Sequence, residues 1–206
     1  MRSREVENYK KTLHLNDIQR EIIVGLLLGD GHLETANGKT YRLKVEHGIM
    51  QREYVDYLFN LLKNWIPRVP RAREKKSFGK IITSYGFTTY SSGMLRFYAQ
   101  QFYEKKKKVI PQLISKILTP RVLAVWFMDD GSWKSNQHRT YIIHTLGYTK
   151  RELNMVSEAI RKKFNIALNI HRQYNGLRLY VVSNDAEKFK NLIKEYIIPS
   201  MRYKLG

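Results

Sequence analysis

Two aspartates one hundred residues apart stand in the same local context. Asp30 lies near the end of the apolar run at residues 23–31, Asp130 lies near the end of the run at residues 123–131, and glycine follows each. Both runs are predicted to be helical, and a carboxylate at a helix C-terminus is disfavoured by roughly 0.3 to 1 kcal/mol. A repeated unfavourable placement indicates a chemical role, because carboxylate oxygens are preferred ligands of hard divalent cations.

The charge balance indicates what such cations would face. The chain of 206 residues has 37 Lys and Arg against 18 Asp and Glu, a formal net charge of +19 and a pI near 10.0. These values indicate a polyanionic partner. An acid facing a phosphate backbone is tolerated when a divalent cation lies between them, so the sequence predicts a metal-dependent nuclease.

Other classes of protein are disfavoured. Basic residues are spread over strands and loops rather than one amphipathic helix, which argues against a membrane surface as partner. The sequence has no cysteine and no Cys/His cluster, so a disulfide framework, a zinc finger and an HNH-type nuclease are not expected. The start of the chain has no apolar signal segment, and the apolar run at residues 22–28 is too short to span a bilayer. We expect a soluble, intracellular protein, in an organelle or a prokaryotic cytoplasm.

The elements around the two aspartates repeat in the same order. The first half is predicted to contain a helix capped at Asn16 or Asp17, a strand, a helix, a hairpin that turns at Ser77-Phe78-Gly79, and a third helix (residues 17–28, 40–47, 53–65, 71–85 and 93–103). The second half is predicted to contain a helix capped by Thr119, a strand, a helix, a hairpin and a last helix (residues 120–128, 141–145, 151–164, 168–181 and 185–198).

The second hairpin has a strong turn signal. Asn175-Gly176 predicts a two-residue type I′ turn, which pairs Tyr174 with Leu177. In that register Gln173 opposes Arg178, and His171 opposes Tyr180. The fold predicted is α+β, with two pseudo-symmetric αββαββα-like repeats at residues 1–104 and 119–206 and a linker at residues 105–118. Two sheets with polar, basic faces would form a saddle wide enough for a DNA duplex.

The two runs, IVGLLLGDG and LAVWFMDDG, resemble the nine-residue motif of the LAGLIDADG homing endonucleases of the monomeric, two-motif kind. The flanking pieces Lys-Val-Ile-Pro, Leu-Thr-Pro and Met-Arg-Tyr-Lys-Leu are similar to the yeast mitochondrial intron branch (residues 108–111, 118–120 and 201–205). The resemblance implies that the motif helices pack together through small residues at the pseudo-twofold axis, here Gly25, Gly29 and Ala124. It also implies a monomer that binds double-stranded DNA.

The resemblance implies a set of catalytic residues. Asp30 and Asp130 would hold the metal ions, and alignment on the final glycine selects Asp130 over its neighbour Asp129. The backbone carbonyls of Gly29 and Asp129 are further candidate metal ligands, and Asp129 is otherwise expected to support the site from outside it or to be solvated. Lys108 and Lys204 resemble the active-site lysines of the family. Mg²⁺ is the expected ion, with Mn²⁺ as a substitute and Ca²⁺ binding without turnover.

Polar residues on the predicted strand faces are candidates for DNA contact. Arginine and lysine can recognise guanine, and glutamine can recognise adenine, whereas other polar groups contact phosphate. The candidate residues are Arg42, Lys44, Glu46, Arg71, Arg73, Lys75, Thr83, Tyr85, Arg139, His144, His171, Gln173, Arg178 and Tyr180. The histidines show no metal-ligand spacing, and His32, just after Asp30, is the one of most interest.

The expected function is site-specific cleavage of both strands of a long, asymmetric duplex. The resemblance implies 3′ overhangs and a role in intron or intein mobility. The alternative is a catalytically silent nucleic-acid-binding protein on the same scaffold, either an RNA maturase or a transcriptional regulator. The presence of both Asp30 and Asp130 argues against this alternative, because a pure binder gains nothing from acids directed at phosphate.

Overall fold

The computed structural model describes residues 3–77 and 79–206. Its α-helices are α1 (Ser3–Thr12), α2 (Asp17–Leu28), α3 (Arg52–Leu62), α4 (Arg96–Phe102), α5 (Ile114–Ile117), α6 (Pro120–Asp130), α7 (Lys150–Phe164) and α8 (Ala186–Ile193). Short 3₁₀ segments extend or precede several of them (Ile49–Gln51, Lys63–Trp65, Gly93–Leu95, Ser183–Asp185, Lys194–Tyr196 and Pro199–Leu205). Among the described residues, no helix is long and apolar enough to cross a membrane.

The strands form two antiparallel sheets with the same strand order. The strands are β1 (His32–Glu34), β2 (Arg42–Gly48), β3 (Arg71–Ser77), β4 (Lys80–Thr88), β5 (Tyr103–Glu104), β6 (Lys107–Lys108), β7 (Gly131–Trp133), β8 (Tyr141–His144), β9 (Leu168–Gln173) and β10 (Gly176–Val181). The first sheet has the order β1-β2-β4-β3, the second has the order β7-β8-β10-β9, and β5 pairs with β6. This repetition confirms the predicted α+β fold.

Local capping explains where the motif helices begin. The side chain of Asn16 accepts a hydrogen bond from the backbone N–H of Gln19, whose side chain bonds back to the Asn16 backbone, which completes a capping box. Thr119 caps α6 through the Val122 N–H, and Pro120 occupies the first position. Both caps agree with those predicted from the sequence, and they determine where each helix delivers its terminal aspartate.

Three parts of the fold were not predicted. Helix α1 precedes the first motif, and its Tyr9 hydroxyl donates a hydrogen bond to the Asn64 carbonyl 2.9 Å away. The segment predicted as a linker begins at the turn of the β5-β6 hairpin, whose second strand brings Lys108 toward the motif helices, and it also contains the short helix α5. Phe78, the centre of the predicted first turn, lies outside the described residues. The repeat boundaries at 104 and 119 stay a prediction.

The first sheet presents most of the predicted polar residues on one face. Six of them share the face opposite Leu43 and Val45, which are buried (Arg42, Lys44, Glu46, Arg71, Arg73 and Lys75). Thr83 and Tyr85 were wrongly predicted to share it. They lie on the other face of β4, where Tyr85 is buried and its hydroxyl donates to Asp56 on α3. The prediction failed because β4 pairs Arg73 with Ser84 rather than with Thr83 or Tyr85.

The second sheet has the predicted faces but a different register. β10 pairs Arg178 with His171 and Gly176 with Gln173, so Tyr174 and Asn175 form the turn. Asn175 has no positive φ, which a type I′ turn requires, so the predicted turn was wrong by one residue and the predicted strand pairing by two. A shift of two keeps every side chain on its face. The polar face therefore carries His144, His171, Gln173, Arg178 and Tyr180, as predicted.

Arg139 does not lie on a strand face, contrary to the prediction. It lies in the loop between β7 and β8, is exposed, and has a positive φ of 40°. Strand β8 begins only at Tyr141, because the Lys134 N–H bonds to the Thr140 carbonyl and residues 135–139 form the turn between them. Arg139 therefore stands at the end of the second sheet, away from the alternation of the strand.

The motif helices α2 and α6 pack closely against one another. A Cβ atom on Gly25 would lie 2.5 Å from Val125 Cβ and 3.0 Å from the Val122 carbonyl oxygen, so only glycine allows this approach. Ala124 is fully buried in the same core. A salt bridge of 2.6 Å between Glu21 and Arg121 joins the helices near their N-terminal ends. One hydrophobic cluster extends through both halves, which fixes the motif helices against both sheets.

The face assignment in the second sheet makes a stability prediction. Leu179 is fully buried, so Leu179→Ala is expected to lower the free energy of unfolding by roughly 2 to 5 kcal/mol because it leaves a cavity. Urea unfolding followed by circular dichroism measures the loss. Leu146→Ala is the matched control, because Leu146 is 42% exposed and should cost less than about 0.5 kcal/mol. Equal losses at the two positions would contradict the face assignment.

Candidate active site at the paired motif helices

The motif helices deliver Asp30 and Asp130 to one end of their interface. The Asp30 side chain is 50% exposed. Asp130 is more enclosed, and its carboxylate accepts a hydrogen bond of 3.2 Å from the Trp126 indole N–H. Burial, followed by the nearby charge of Asp30, raises the pKa of Asp130 to about 7. The neighbouring Asp129 carboxylate accepts the backbone N–H of Asp30 at 2.9 Å, so the two motif acids lie close together at the end of the helix interface.

A lysine caps the C-terminus of each motif helix. The Lys108 ammonium donates to the carbonyl oxygens of Gly29 at 2.6 Å and Gly31 at 2.7 Å. The Lys204 ammonium donates to the carbonyls of Asp129, at 3.1 Å, and Met128. Burial lowers the pKa of both lysines, and the three nearby aspartates oppose this effect. These cations offset the negative helix ends, which explains how each helix tolerates a terminal aspartate.

The same contacts bear on the predicted backbone metal ligands. The carbonyls of Gly29 and Asp129 each accept a hydrogen bond from a lysine ammonium. A carbonyl oxygen has two lone pairs, so one stays open to a cation at each position. Metal coordination by Gly29 and Asp129 stays a proposal.

Asp129 is buried across the helix interface rather than solvated. One carboxylate oxygen accepts the backbone N–H of Asp30 at 2.9 Å, and the other accepts the Tyr54 hydroxyl at 2.8 Å. Burial and the charge of Asp30 raise the pKa of Asp129 well above its ordinary value. Of the two alternatives expected for Asp129, the solvated side chain was wrong, because glycine at position 29 leaves space for Asp129 to reach across to the other helix. Support of the site from outside it stays a prediction.

His47 is a site residue that the sequence did not reveal. It lies at the end of β2 and is 5% exposed, with Nδ1 3.6 Å from an Asp30 oxygen and Nε2 3.7 Å from an Asp129 oxygen. Its Nε2 is buried with no hydrogen-bond partner among the described residues. Burial lowers the pKa of His47, which favours the neutral ring that can donate a nitrogen lone pair. His32, the expected candidate, instead contacts Glu34 at 3.4 Å.

The residues present fit a divalent cation. Ligand atoms of Asp30, His47 and Asp129 all lie within 4.8 Å of one another, so small side-chain movements would place one atom from each on a single ion at about 2.0 to 2.6 Å. The unpartnered nitrogen Nε2 of His47 is buried 3.7 Å from an Asp129 oxygen, and such a group is costly unless something binds it. A cation would also favour the ionised form of acids whose pKa is raised. The cluster is therefore a candidate metal centre.

The outward sheet faces flank this centre with polar contacts among the predicted DNA-binding residues. Lys44 pairs with Glu46 at 3.0 Å, and Arg42 pairs with Glu34 at 2.8 Å. In the second sheet Arg178 donates to Gln173, and Gln173 donates to Tyr180. His144 lies within 3.2 Å of Ser132, and burial lowers its pKa. Both faces therefore hold side chains that are oriented by neighbours rather than free to move.

Comparison with known proteins agrees with this arrangement. Residues 20–189 match the model of the LAGLIDADG DNA endonuclease family. The chain is 30% identical to a probable intron-encoded endonuclease 1 of Wickerhamomyces canadensis, over 98% of this chain and 90% of that protein. It is also 30% identical to the cytochrome b mRNA maturase bI2 of Debaryomyces hansenii, over 98% and 78% of the two chains.

A solved structure resembles the whole fold. It is described as the homing endonuclease I-WcaI bound to its DNA recognition sequence, with a TM-score of 0.92 and 29% identity, covering 99% of this chain and 93% of that one. The family match extends over both motifs and both sheets, and the two motif aspartates meet where the motif helices end. The chain belongs to the LAGLIDADG DNA endonuclease family.

Proposed function

We propose that this endonuclease binds a long, asymmetric DNA site and cleaves both strands to leave 3′ overhangs, in the mobility of an intron or intein. The observation that carries the proposal is the pair of motif aspartates, each beside a lysine, at the junction of two sheets with polar, basic faces. The pseudo-symmetric halves provide one acid and one lysine for each strand of a duplex. The differences between the halves match an asymmetric site.

The residues of the chain have distinct proposed roles in cleavage. Asp30 and Asp130 hold divalent ions, which neutralise the charge that develops on the phosphate when bound. Mg²⁺ is the proposed ion, because carboxylate and carbonyl oxygens are the ligands it prefers. Mn²⁺ is proposed to substitute, and solved structures of I-DmoI with its target DNA are described in the presence of Mg or of Mn. Lys108 and Lys204 place positive charge beside both acids, where it stabilises the transition state.

DNA recognition is assigned to the outward faces of the two sheets. We propose that the arginines and lysines of the first sheet contact base edges or phosphates (Arg42, Lys44, Arg71, Arg73 and Lys75), with Glu46 as an acceptor for cytosine. In the second sheet Arg178 and Gln173 are the candidates for base contact, and His144, His171 and Tyr180 support them. Arg139 is proposed to contact phosphate from its loop.

The decisive experiment is a cleavage assay on a selected target. A randomised duplex library is incubated with the protein and Mg²⁺, and the cut ends are sequenced. Recovery of one long consensus with 3′ overhangs supports the proposal. The same site in EDTA should stay intact, and in Ca²⁺ it should be bound but uncut, because the larger and more flexibly coordinated ion fills an oxygen site without supporting the reaction. Cleavage in EDTA would contradict the metal-dependent mechanism.

The two lysines make a prediction about rate. Lys108→Ala and Lys204→Ala are each expected to slow single-turnover cleavage at least about tenfold, or about 1.4 kcal/mol of transition-state stabilisation, with little change in DNA affinity. Quench-flow rates and filter binding measure the two effects separately. Lys105→Ala, at the exposed turn of the same hairpin as Lys108, is the control. Parallel losses in affinity and rate would make the two lysines phosphate contacts instead.

A second candidate function is RNA maturation, which the match to a curated maturase favours. The two functions are separable, because an Asp30→Asn variant that no longer cuts DNA should still assist splicing if it is a maturase. A splicing assay with the intron that encodes the chain measures this. Both motif acids are present, so DNA cleavage is the function we propose first. We also propose an intracellular location.

A further inference from the structure

The two halves of the active site are not equivalent, and the strand registers show where they differ. β1 pairs His32 with Lys44, and β7 pairs Ser132 with Ile142. Since His32 and Ser132 each come two residues after their motif aspartate, Lys44 corresponds to Ile142. The residue three positions further along is His47 in the first half and Thr145 in the second. The structurally equivalent positions therefore carry different chemistry.

Thr145 does not replace the imidazole of His47. Its hydroxyl donates a hydrogen bond of 3.0 Å to the Leu177 carbonyl, and the residue is 1% exposed. The side chain therefore bonds within the second sheet rather than toward the acids. His47, by contrast, directs an unpartnered ring nitrogen toward the acids. One half of the active site thus offers a nitrogen donor, and the other half offers none at that position.

The residue before each motif aspartate adds to this asymmetry. It is Gly29 in the first motif and Asp129 in the second. The Asp129 side chain crosses to the first motif, where its carboxylate accepts the Asp30 N–H and lies 3.7 Å from His47. Gly29 has no side chain, so the first motif provides no equivalent carboxylate beside Asp130. His144 shares a cavity with Asp130, but its Nε2 is 3.2 Å from the Ser132 hydroxyl, so the extra carboxylate and the unpartnered imidazole nitrogen both lie on the Asp30 side.

We propose that the Asp30, His47 and Asp129 cluster is a specific, tighter cation site, so that the two catalytic halves fill unequally and the two DNA strands are cut in a fixed order. The inference rests on the proposed function, since it concerns the strands that the enzyme cuts. More protein ligands around one ion lower its dissociation constant, and an imidazole ligand favours Mn²⁺ over Mg²⁺ and Ca²⁺. The strand at the Asp30 side is cut first, and the gap between the two cuts widens as the metal concentration falls.

The first test measures cation binding without cleavage. Mn²⁺ is titrated into the DNA-free protein and followed by electron paramagnetic resonance. The wild type should show a tight site that His47→Thr weakens at least about ten- to a hundredfold, because loss of a ligand should cost no less than loss of a residue that only supports one. Thr145→His is the matched control and should leave the tight site unchanged. An unchanged affinity in His47→Thr would overturn the proposal.

His47 is buried, so a second variant guards against misfolding. His47→Gln keeps much of the side-chain volume and an oxygen atom that can bind a metal ion. Thermal unfolding checks that both variants fold. The Gln variant should lose the preference of the tight site for Mn²⁺ over Mg²⁺, because its carbonyl oxygen replaces the nitrogen ligand. If the tight site still prefers Mn²⁺ in His47→Gln, the preference comes from other residues, and the proposal is overturned.

The second test follows strand order on a supercoiled plasmid that carries the selected site, with each strand labelled separately. Wild type in limiting Mg²⁺ should accumulate nicked circles, with one strand cut about tenfold faster. His47→Thr should remove most of this bias by slowing the first cut. Equal strand rates in the wild type would overturn the proposal while leaving the proposed function intact. Failure to cut any DNA would refute the proposed function, and the Mn²⁺ titration would then decide the cation site alone.

Discussion

Asp30→Asn and Asp130→Asn are each expected to lower double-strand cleavage by at least about a thousandfold, or about 4 kcal/mol of transition-state stabilisation. Asparagine keeps the shape of the side chain but loses the negative charge that holds a divalent ion. DNA affinity should stay within about tenfold, because neither acid contacts phosphate directly in the proposed arrangement. Single-turnover cleavage and equilibrium binding of the selected site measure the two quantities.

A matched control comes from α2, the helix that precedes Asp30. Asp17 lies in the first turn of α2 and is exposed, so Asp17→Asn should leave cleavage unchanged and cost only a few tenths of a kcal/mol in stability. Full cleavage by either motif variant would remove that acid from the metal site. A loss of DNA binding as large as the loss of cleavage would mean that the substitution damaged the fold.

The parts of the fold that follow from local signals could be predicted from the sequence. The capping residues Asn16 and Thr119 lie within three residues of the groups they bind, and the apolar runs after them are continuous. The motif pair also showed which acids would meet, because a repeated motif implies a symmetry axis. These signals needed no knowledge of how distant segments pair.

The parts that depend on distant pairing could not be predicted. His47 was missed because nothing in its neighbourhood marks it as a ligand, and only the folding of the first sheet against the rest of the chain brings the end of β2 within 3.7 Å of Asp129. Tyr85 was placed on the wrong face because the register of β4 is set by β2 and β3 rather than by its own alternation. A metal centre assembled from two halves of a chain has no signature within a single segment.

The lysines show how sequence and structure complement each other here. An acid at the end of a helix looked unfavourable from the sequence, and the structure shows that Lys108 and Lys204 bind the carbonyls at those ends. Each lysine therefore stabilises the helix terminus and places its charge beside an aspartate. The placement that is unfavourable in an isolated helix is therefore part of a charge arrangement that the proposed metal ions would complete.

Gly29→Ala is expected to lower cleavage by about a hundredfold and the free energy of unfolding by about 1 to 3 kcal/mol. A Cβ atom at this position would lie 2.3 Å from Asp129 Oδ2 and 2.5 Å from Asp129 Cβ. Either the helices separate or the Asp129 side chain rotates away, and both responses break its hydrogen bond to the Asp30 N–H. Urea unfolding and single-turnover cleavage measure the two losses.

Two further variants separate crowding from a general effect of alanine. Gly93→Ala adds a methyl group where nothing lies within 4 Å, so stability and cleavage should hardly change. The double variant Gly29→Ala/Asp129→Gly has its glycine on the other motif helix, so the alanine methyl group no longer overlaps the Asp129 side chain. Its free energy of unfolding should return to within about 1 kcal/mol of the wild type. Cleavage should stay low in that double variant, because the carboxylate beside His47 is gone. Full activity in Gly29→Ala alone would mean that the motif helices do not approach as closely as the structure requires.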